Sequence, residues 1–490
     1  MSNKIYSFSL DPYISGWYNP FNILYIFTKI KGREFMASSK NSNRSTTAAK
    51  LLIIAVVISA VALIGVAVNF VSREGRSPQP NIDLSGTSET EQLITTQADP
   101  TPFVVSTVTI GSAGDTLIHK PILESADEGE GVYSFDKLFT YVKPVSQSYD
   151  YFLLNLETTL AGNENGRKYS TYPCFNSPDS LLDSLASIGT DCLLTANNHS
   201  YDTGESGFLR TVETVDKAGF DHTGTFLTSD ETRYLIENIG GINFGFICYT
   251  YETPYDSQTV KALNGIPMNS NTSPLINSFD YDHIDTFYTD IEKQLRLMKE
   301  NGAEVLTVYM HWGDEYKLQK NSWQKHMSQK LCDMGVDVIV GGHPHVVEPV
   351  ELLTSSDGEE KTLCIYSVGN FVSNQRRNLM GLQTGHTEDG AIFEMTFSKY
   401  SDGTVYFESV GVTPTWVHLY NENGKKVHSV VPLSENMDAA SLGLDKTTDG
   451  LKNAQESYNR TMALVGSGLD DCNAYLDTIE TPAEIYNKNK

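Results

Sequence analysis

From residue 103 onward the chain repeats one pattern: a strand-length apolar run that stops at an acid, an amide or an imidazole. VVSTVTIGSAGD (104–115) ends at Asp115, and DYFLLNLE (150–157) ends at Glu157. DCLLTANN (191–198) ends at Asn198 with His199 next, and AEVLTVYMHWG (303–313) carries His311. VIVGGHPH closes on His343 and His345. Amphipathic helical patterns at 177–189, 205–219, 289–302 and 321–335 separate these runs. Helices alternating with strands indicate an α/β fold. The consecutive late strands, 363–371, 391–400 and 404–414, predict a sheet that becomes antiparallel or mixed.

In open α/β sheets ligands bind beyond the carboxyl ends of the strands. Each residue alone has a plain explanation: Asp115 suits a helix N-cap, His311 beside Trp312 suits a packed core, and a lone HxH suits a polar loop. Their convergence at strand ends predicts a shared metal site. A mixed oxygen and nitrogen donor set suits a pair of divalent ions, Mn, Fe or Zn, rather than calcium or a thiolate zinc site. Two such ions can clamp the attacking and leaving oxygens of an in-line phosphoryl displacement.

Residues 51–70, LLIIAVVISAVALIGVAVNF, contain no charge. Twenty helical residues span about 30 Å, the thickness of the hydrocarbon core. Arg33, Lys40, Arg44 and Lys50 precede the run, and Arg73 and Arg76 follow it. That balance predicts an uncleaved single-pass anchor with residues 1–50 in the cytoplasm and the bulk of the chain outside the cell membrane. Met36 opens a short polar lead into the anchor and is a candidate start, which would leave residues 1–35 untranslated. Residues 71–102, rich in Ser, Thr, Pro, Gln and acids, read as a flexible linker. A single domain is expected over 103–430, followed by a partly helical tail at 431–490. The formal net charge of −25 with no basic stripe excludes a nucleic-acid partner. Six scattered cysteines with no CxxC predict buried free thiols.

The motifs GDTLIH (114–119), NLET (155–158), TANNHSYDTGESG (195–207), HWGDEY (311–316), GGHPHVVEPVE (341–351) and YSVGNF (366–371) resemble those of the CapA family. That family is known from poly-γ-glutamate capsule synthesis and falls within the calcineurin-like metallophosphatase superfamily. The resemblance spans residues 106–375. It implies a sandwich of two mixed sheets flanked by helices. By position it implies that Asp115 and His345 ligate a first metal, that Glu157 bridges, and that Asn198, His311 and His343 ligate a second. His199 is implied to protonate or stabilise the leaving group. This chain departs from the usual pattern in three ways, one being Glu348 where the family usually has a glutamine. Glu157 stands where an aspartate is usual, and the first histidine, His119, follows Asp115 by four residues instead of two. A helical turn over 115–119 would bring His119 to the same site as a further metal ligand. Glu348, after the HPH motif, is expected as a negative charge near the rim. Trp312 and Tyr316 are expected as pocket walls, Glu315 as a partner to a histidine, and His222 as a possible neighbour from the next strand end.

The resemblance implies a metal-dependent hydrolase or transferase acting in capsule, poly-γ-glutamate or envelope polymer metabolism. Polymer synthase subunits are candidate partners. The competing readings are a non-catalytic assembly or export factor and a general envelope phosphoesterase.

Overall fold

A computed structural model describes residues 101–255, 260–382 and 384–489. The apolar run 51–70, the segment before it and the linker up to residue 100 lie outside the described residues. Among the described residues no helix is long and apolar enough to cross a membrane.

Two large mixed sheets are built in chain order. The first begins with four parallel strands: β1 (Val104–Thr116), β2 (Tyr151–Leu156), β3 (Cys192–Leu194) and β4 (Asp221–Thr223). Helices α1 (Ser180–Ser187) and α2 (Gly204–Ala218) make crossovers between them, as parallel neighbours require. The second sheet contains β5 (Leu235–Ile239), β6 (Ile242–Tyr251), β7 (Ser278–Phe279), β8 (Val305–His311), β9 (Val338–Gly342), β10 (Val350–Thr354) and β11 (Lys361–Ile365). Its order is β7-β6-β8-β9-β11-β10, with β5 also pairing β6. Helix α3 (Ile284–Glu300) joins β7 to β8, and α4 (Ser322–Asp333) joins β8 to β9. The chain then returns to the first sheet with β12 (Asn370–Val372), β13 (Asp389–Tyr400), β14 (Val405–Glu422) and β15 (Lys425–Pro432). That sheet runs β15-β14-β13-β1-β2-β3-β4, and its β13–β15 half is antiparallel.

Side-chain alternation explains the layering. On β2, Leu153 faces the cluster shared by both sheets, whereas Phe152 and Leu154 face the cluster that holds Leu181 and Leu185 of α1. On β6, Phe244 and Phe246 face inward, whereas Ile247 and Tyr249 meet Ile291 and Leu295 of α3. Both faces of these strands are buried, which is why they read as continuous apolar runs. Each such fully buried large side chain stabilises the fold by about 1.5–3 kcal/mol.

The run 363–371, read from the sequence as one strand, is two. β11 ends at Ile365 in the second sheet, and β12 begins at Asn370 in the first. Gly369 turns the chain between them at φ 69°, and its carbonyl accepts Asp115 N–H at 3.0 Å. The last segment holds helix α5 (Gly450–Leu476), whose Val465, Leu469 and Cys472 join the core between the sheets. A Cβ on Gly468 would lie 2.0 Å from the Val350 carbonyl oxygen, so glycine is what lets α5 touch β10. The six cysteines are free, and five of them are buried.

Candidate metal centre

Both sheets deliver parallel strand ends to one edge. Register fixes which residues meet there. Asp115 pairs with Asn155 across β1 and β2, and His311 pairs with Gly342 across β8 and β9. Gly341 and Gly342 allow the HPH turn to close on this edge. A Cβ on Gly341 would sit 1.8 Å from the Tyr366 carbonyl oxygen, and one on Gly342 would sit 2.9 Å from Asp115 Oδ1. The turn itself is strained, with φ 97° at His343 and φ 56° at His345. Non-glycine residues rarely adopt such angles, and strained positions of this kind cluster at active sites and ligand clamps.

Two sets of donors result. Glu157, His311 and His343 place one ligand atom each within 4.8 Å of one another, and so do Asp115, Glu157 and His345. Glu157 belongs to both. Its carboxylate is 0% exposed, and neither oxygen has a hydrogen-bond partner. The nearest nitrogens are His311 Nε2 at 3.5 Å and His199 Nε2 at 4.0 Å. His343 Nδ1 is likewise buried without a partner. An unpartnered buried carboxylate is costly, so a cage of imidazoles around one fits a bound cation.

Burial and the neighbouring charges move these groups in different directions. Burial, reinforced by nearby Asp115, pushes Glu157 up to about 8. Burial pushes Asp115 up too, but the hydrogen bond and charge of His345 overcome it and hold the pKa below its ordinary value. Burial lowers His345, yet Glu157 and Asp115 outweigh it and raise the imidazole to about 9. Burial, together with the neighbouring His345, brings His311 down to about 4 despite Asp115. Burial and the charges of His311 and His345 also hold His343 well below the ordinary histidine value. Neutral imidazoles are the form that ligates metal, so His311 and His343 are already in it, whereas His345 must give up a proton to bind.

Polar partners orient these groups, as metal ligands usually require. Asn155 Nδ2 donates to Asp115 Oδ1 at 2.8 Å. His343 N donates to Asp115 Oδ2 at 3.2 Å, and His345 Nδ1 lies 3.1 Å from the same oxygen. Asn198 Oδ1 lies 2.7 Å from His311 Nε2. Asn197 bonds Asn155 Oδ1 at 3.0 Å and the Leu156 carbonyl at 2.9 Å. His199 Nδ1 lies 2.7 Å from Asp202 Oδ2, and the Phe175 ring stands edge-on to it at 4.8 Å.

The structure brings together Asp115, Glu157, Asn198, His199, His311, His343 and His345. His119 is in neither donor set. β1 runs on to Thr116 and a short helix starts only at Lys120, so His119 stands at that helix's N-cap, near enough to His345 and His199 for their charges to act on it. Its Nδ1 accepts from Asn374 N–H at 3.3 Å, and burial lowers it to about 3. His222 pairs with Asp216 at 3.0 Å on the outer strand β4. Trp312 is core, donating its indole N–H to the Tyr366 carbonyl at 3.0 Å. Tyr316 does stand near the site, 6.2 Å from the His345 ring, and Glu315 is exposed beside it. Glu348 is not at the rim. It is 0% exposed and accepts from Gln324 Nε2 at 2.6 Å.

Sequence reasoning missed Asn155, Asn197, Tyr251 and Asn264. Asn155 had a legible signal, since strand alternation puts it on the same face as Glu157. Tyr251, whose ring is 4.7 Å from His343, carried none.

Residues 109–375 match the family model described as "Bacterial capsule synthesis protein PGA_cap". The chain is 26% identical over 307 residues to the PGA biosynthesis protein CapA of Bacillus subtilis (strain 168), a match covering 62% of this chain and 70% of that protein. It is 24% identical over 271 residues to the Capsule biosynthesis protein CapA of Bacillus anthracis, covering 55% of this chain and 60% of that one. A purple acid phosphatase from yellow lupin (Lupinus luteus) seeds aligns with a TM-score of 0.30 and 12% identity, over 63% of this chain and 53% of that one. That likeness is too distant to carry an argument. The family match is different in kind: it spans more than half of the chain and contains every donor from Asp115 to His345. The chain belongs to the bacterial capsule synthesis protein family PGA_cap.

Proposed function

We propose that this protein is a membrane-anchored, outward-facing metal-dependent hydrolase or transferase of capsule or envelope polymer synthesis, with poly-γ-glutamate as the associated polymer. The bond acted on is phosphoester-like or amide-like, and polymer synthase subunits are its partners in the membrane. The observation that carries the chemistry is Glu157, buried, unpartnered and common to two donor sets. Residues 51–70 are the anchor.

Asp115, Glu157 and His345 would hold one divalent ion, and Glu157, Asn198, His311 and His343 a second, drawn from Mn, Fe or Zn. Such ions, when bound, supply Lewis-acid polarisation of the reacting oxygen and a more acidic water. The protein's own groups do the rest. Asp202 accepts from His199 Nδ1, which leaves Nε2 facing the site to hold a proton for the leaving group. Phe175 walls off that imidazole, and its backbone N–H fixes Asp202 at 2.6 Å. Tyr251 and Tyr316 narrow access on the side of the HPH turn.

The test uses the full-length chain purified without chelator. Bound metal is measured, with hydrolysis of a generic phosphodiester and of a γ-glutamyl amide. His343→Ala is expected to lower metal content and rate by about 10- to 100-fold. Equal metal and equal rates in variant and wild type would overturn the reading. For the topology, a reporter fused after residue 80 should be active only outside the cytoplasm.

A further inference from the structure

His199 is held by more than its own loop. A hairpin between Ala262–Leu263 and Ile266–Pro267 reaches the site from the stretch that follows β6. Its two-residue turn is Asn264-Gly265, with φ 49° and φ 72°, the type I′ geometry that Asn-Gly favours. Ala262 and Leu263 are fully buried, and Gly265 N–H bonds Thr253 Oγ1 at 2.9 Å, so the tip is anchored. From that tip the Asn264 side-chain amide donates twice. One bond goes to Asp202 Oδ1 at 2.9 Å and the other to the Pro173 carbonyl at 2.8 Å. The same nitrogen lies 3.4 Å from His199 Nδ1.

Each Asp202 oxygen therefore has a separate task. Oδ2 takes His199 Nδ1 and Phe175 N–H, while Oδ1 takes Asn264. Without Asn264, Asp202 Oδ1 would keep no partner at 8% residue exposure, and the carboxylate could rotate away from His199. The second donor ties the Pro173 loop to the same point, joining three segments distant in sequence: residues 173–175, 199–202 and 264.

We infer that Asn264 is a positioning residue, clamping Asp202 and through it the His199 imidazole that serves the leaving group. This rests on the role given to His199 above, but the clamp itself does not.

Two variants separate backbone from side chain. Asn264→Gly keeps the left-handed turn and deletes only the amide. Asn264→Asp keeps the shape and turns two donors into acceptors facing Asp202. In the full-length protein labelled with ¹⁵N-histidine, the downfield Nδ1–H signal of His199, assigned by its loss in His199→Gln, should weaken or shift in both variants. Bound metal should stay at the wild-type level. Phosphodiesters with a poor leaving group, phenol, should slow by about 10-fold in Asn264→Gly and more in Asn264→Asp, while those releasing p-nitrophenol should change little. A merely structural role would slow both alike. An unmoved His199 signal in both variants would overturn the clamp. If wild type and His199→Gln prove equally inactive, the proposed reaction fails while the signal still decides the clamp.

Discussion

Two buried groups of charges lie in this domain, and they are handled in opposite ways. Under helix α5, Glu388 and Asp389 are 3% and 1% exposed, yet both are fully engaged. Glu388 takes Arg376 Nη2 at 3.0 Å, Arg377 N–H at 2.9 Å and the Trp416 indole at 3.2 Å. Asp389 takes Arg460 through two bonds of 2.7 Å and Ser457 Oγ at 2.6 Å. In the strand-end site Glu157 is as deeply buried and has no partner. Arginine guanidinium groups complete the first group, so it is finished without any ligand. In the second no guanidinium or ammonium reaches Glu157, and imidazoles face it instead. Burial alone does not mark a functional acid; burial without a partner, facing ligand-type nitrogens, does.

The largest effect expected from breaking this contrast is on the paired side. Arg460→Leu removes a two-bond partner from Asp389 and cuts the main polar tie between α5 and β13. Losing one member of a buried pair costs about 3–5 kcal/mol. Denaturant unfolding should show a loss of that size with metal content unchanged. A loss below about 1 kcal/mol would mean that this network is decorative and that the contrast has no energetic content.

On the unpaired side the sign reverses and metal decides the outcome. Manganese at 100 times its Kd should raise the unfolding free energy of the wild-type chain by about 2.7 kcal/mol, and chelator should remove the gain. Glu157→Gln deletes a carboxylate that no protein group satisfies. Free of metal, that variant should be at least as stable as the wild type, and adding manganese should stabilise it far less. A variant that keeps the full manganese response would show that Glu157 is no ligand.

Much of this was legible in the chain. Asp115, Glu157, Asn198, His311, His343 and His345 sit at ends of apolar runs, and runs buried on both faces are hard to mistake for anything but strands. The antiparallel half was legible in outline from consecutive strands. Other features were not, because they depend on tertiary approach. β14 continues to Glu422, well past residue 414, because β15 pairs with it through that stretch. Nothing in the run 363–371 announces that the chain changes sheets at Gly369. His119 was placed by counting residues, and the extension of β1 to Thr116 puts it at a helix N-cap beside the site but in neither donor set. Asp202 was readable as a loop former, but its bond to His199 and its clamp by Asn264, 62 residues away, needed coordinates. Arg460 and Asp389 are separated by 71 residues, with no local pattern linking them.

Glu348 sharpens the rule by standing between the two cases. It is 0% exposed, and its Oε2 accepts from Gln324, but its Oε1 has no partner. It belongs to neither donor set. Burial pushes it up to about 8 despite the Gln324 bond, with Asp314 adding to the rise. Glu157 is raised to about 8 as well, so the shift does not separate the two acids; their surroundings do, since Glu348 belongs to no donor set and a proton is what is left to neutralise it. The unfolded chain releases that proton near the ordinary value of 4.5, whereas the folded chain keeps it until about 8. Between those values the folded state binds more protons, so the contribution of Glu348 to stability falls as pH rises through the window. Glu388 runs the other way. Burial raises it, but Arg376 and the Arg377 N–H outweigh that and hold it below 4.5, so its contribution is present above 4.5 and is lost as pH falls. Glu348→Gln supplies a neutral group of the same shape. Relative to wild type it should gain nothing near pH 4.5 and progressively more as pH rises towards 8, with bound metal unaltered. A difference that stays flat across that range would mean the acid is already ionised in the fold. A fall in bound metal would place Glu348 in the centre after all, and an orphaned buried carboxylate would then signal metal even without imidazoles facing it.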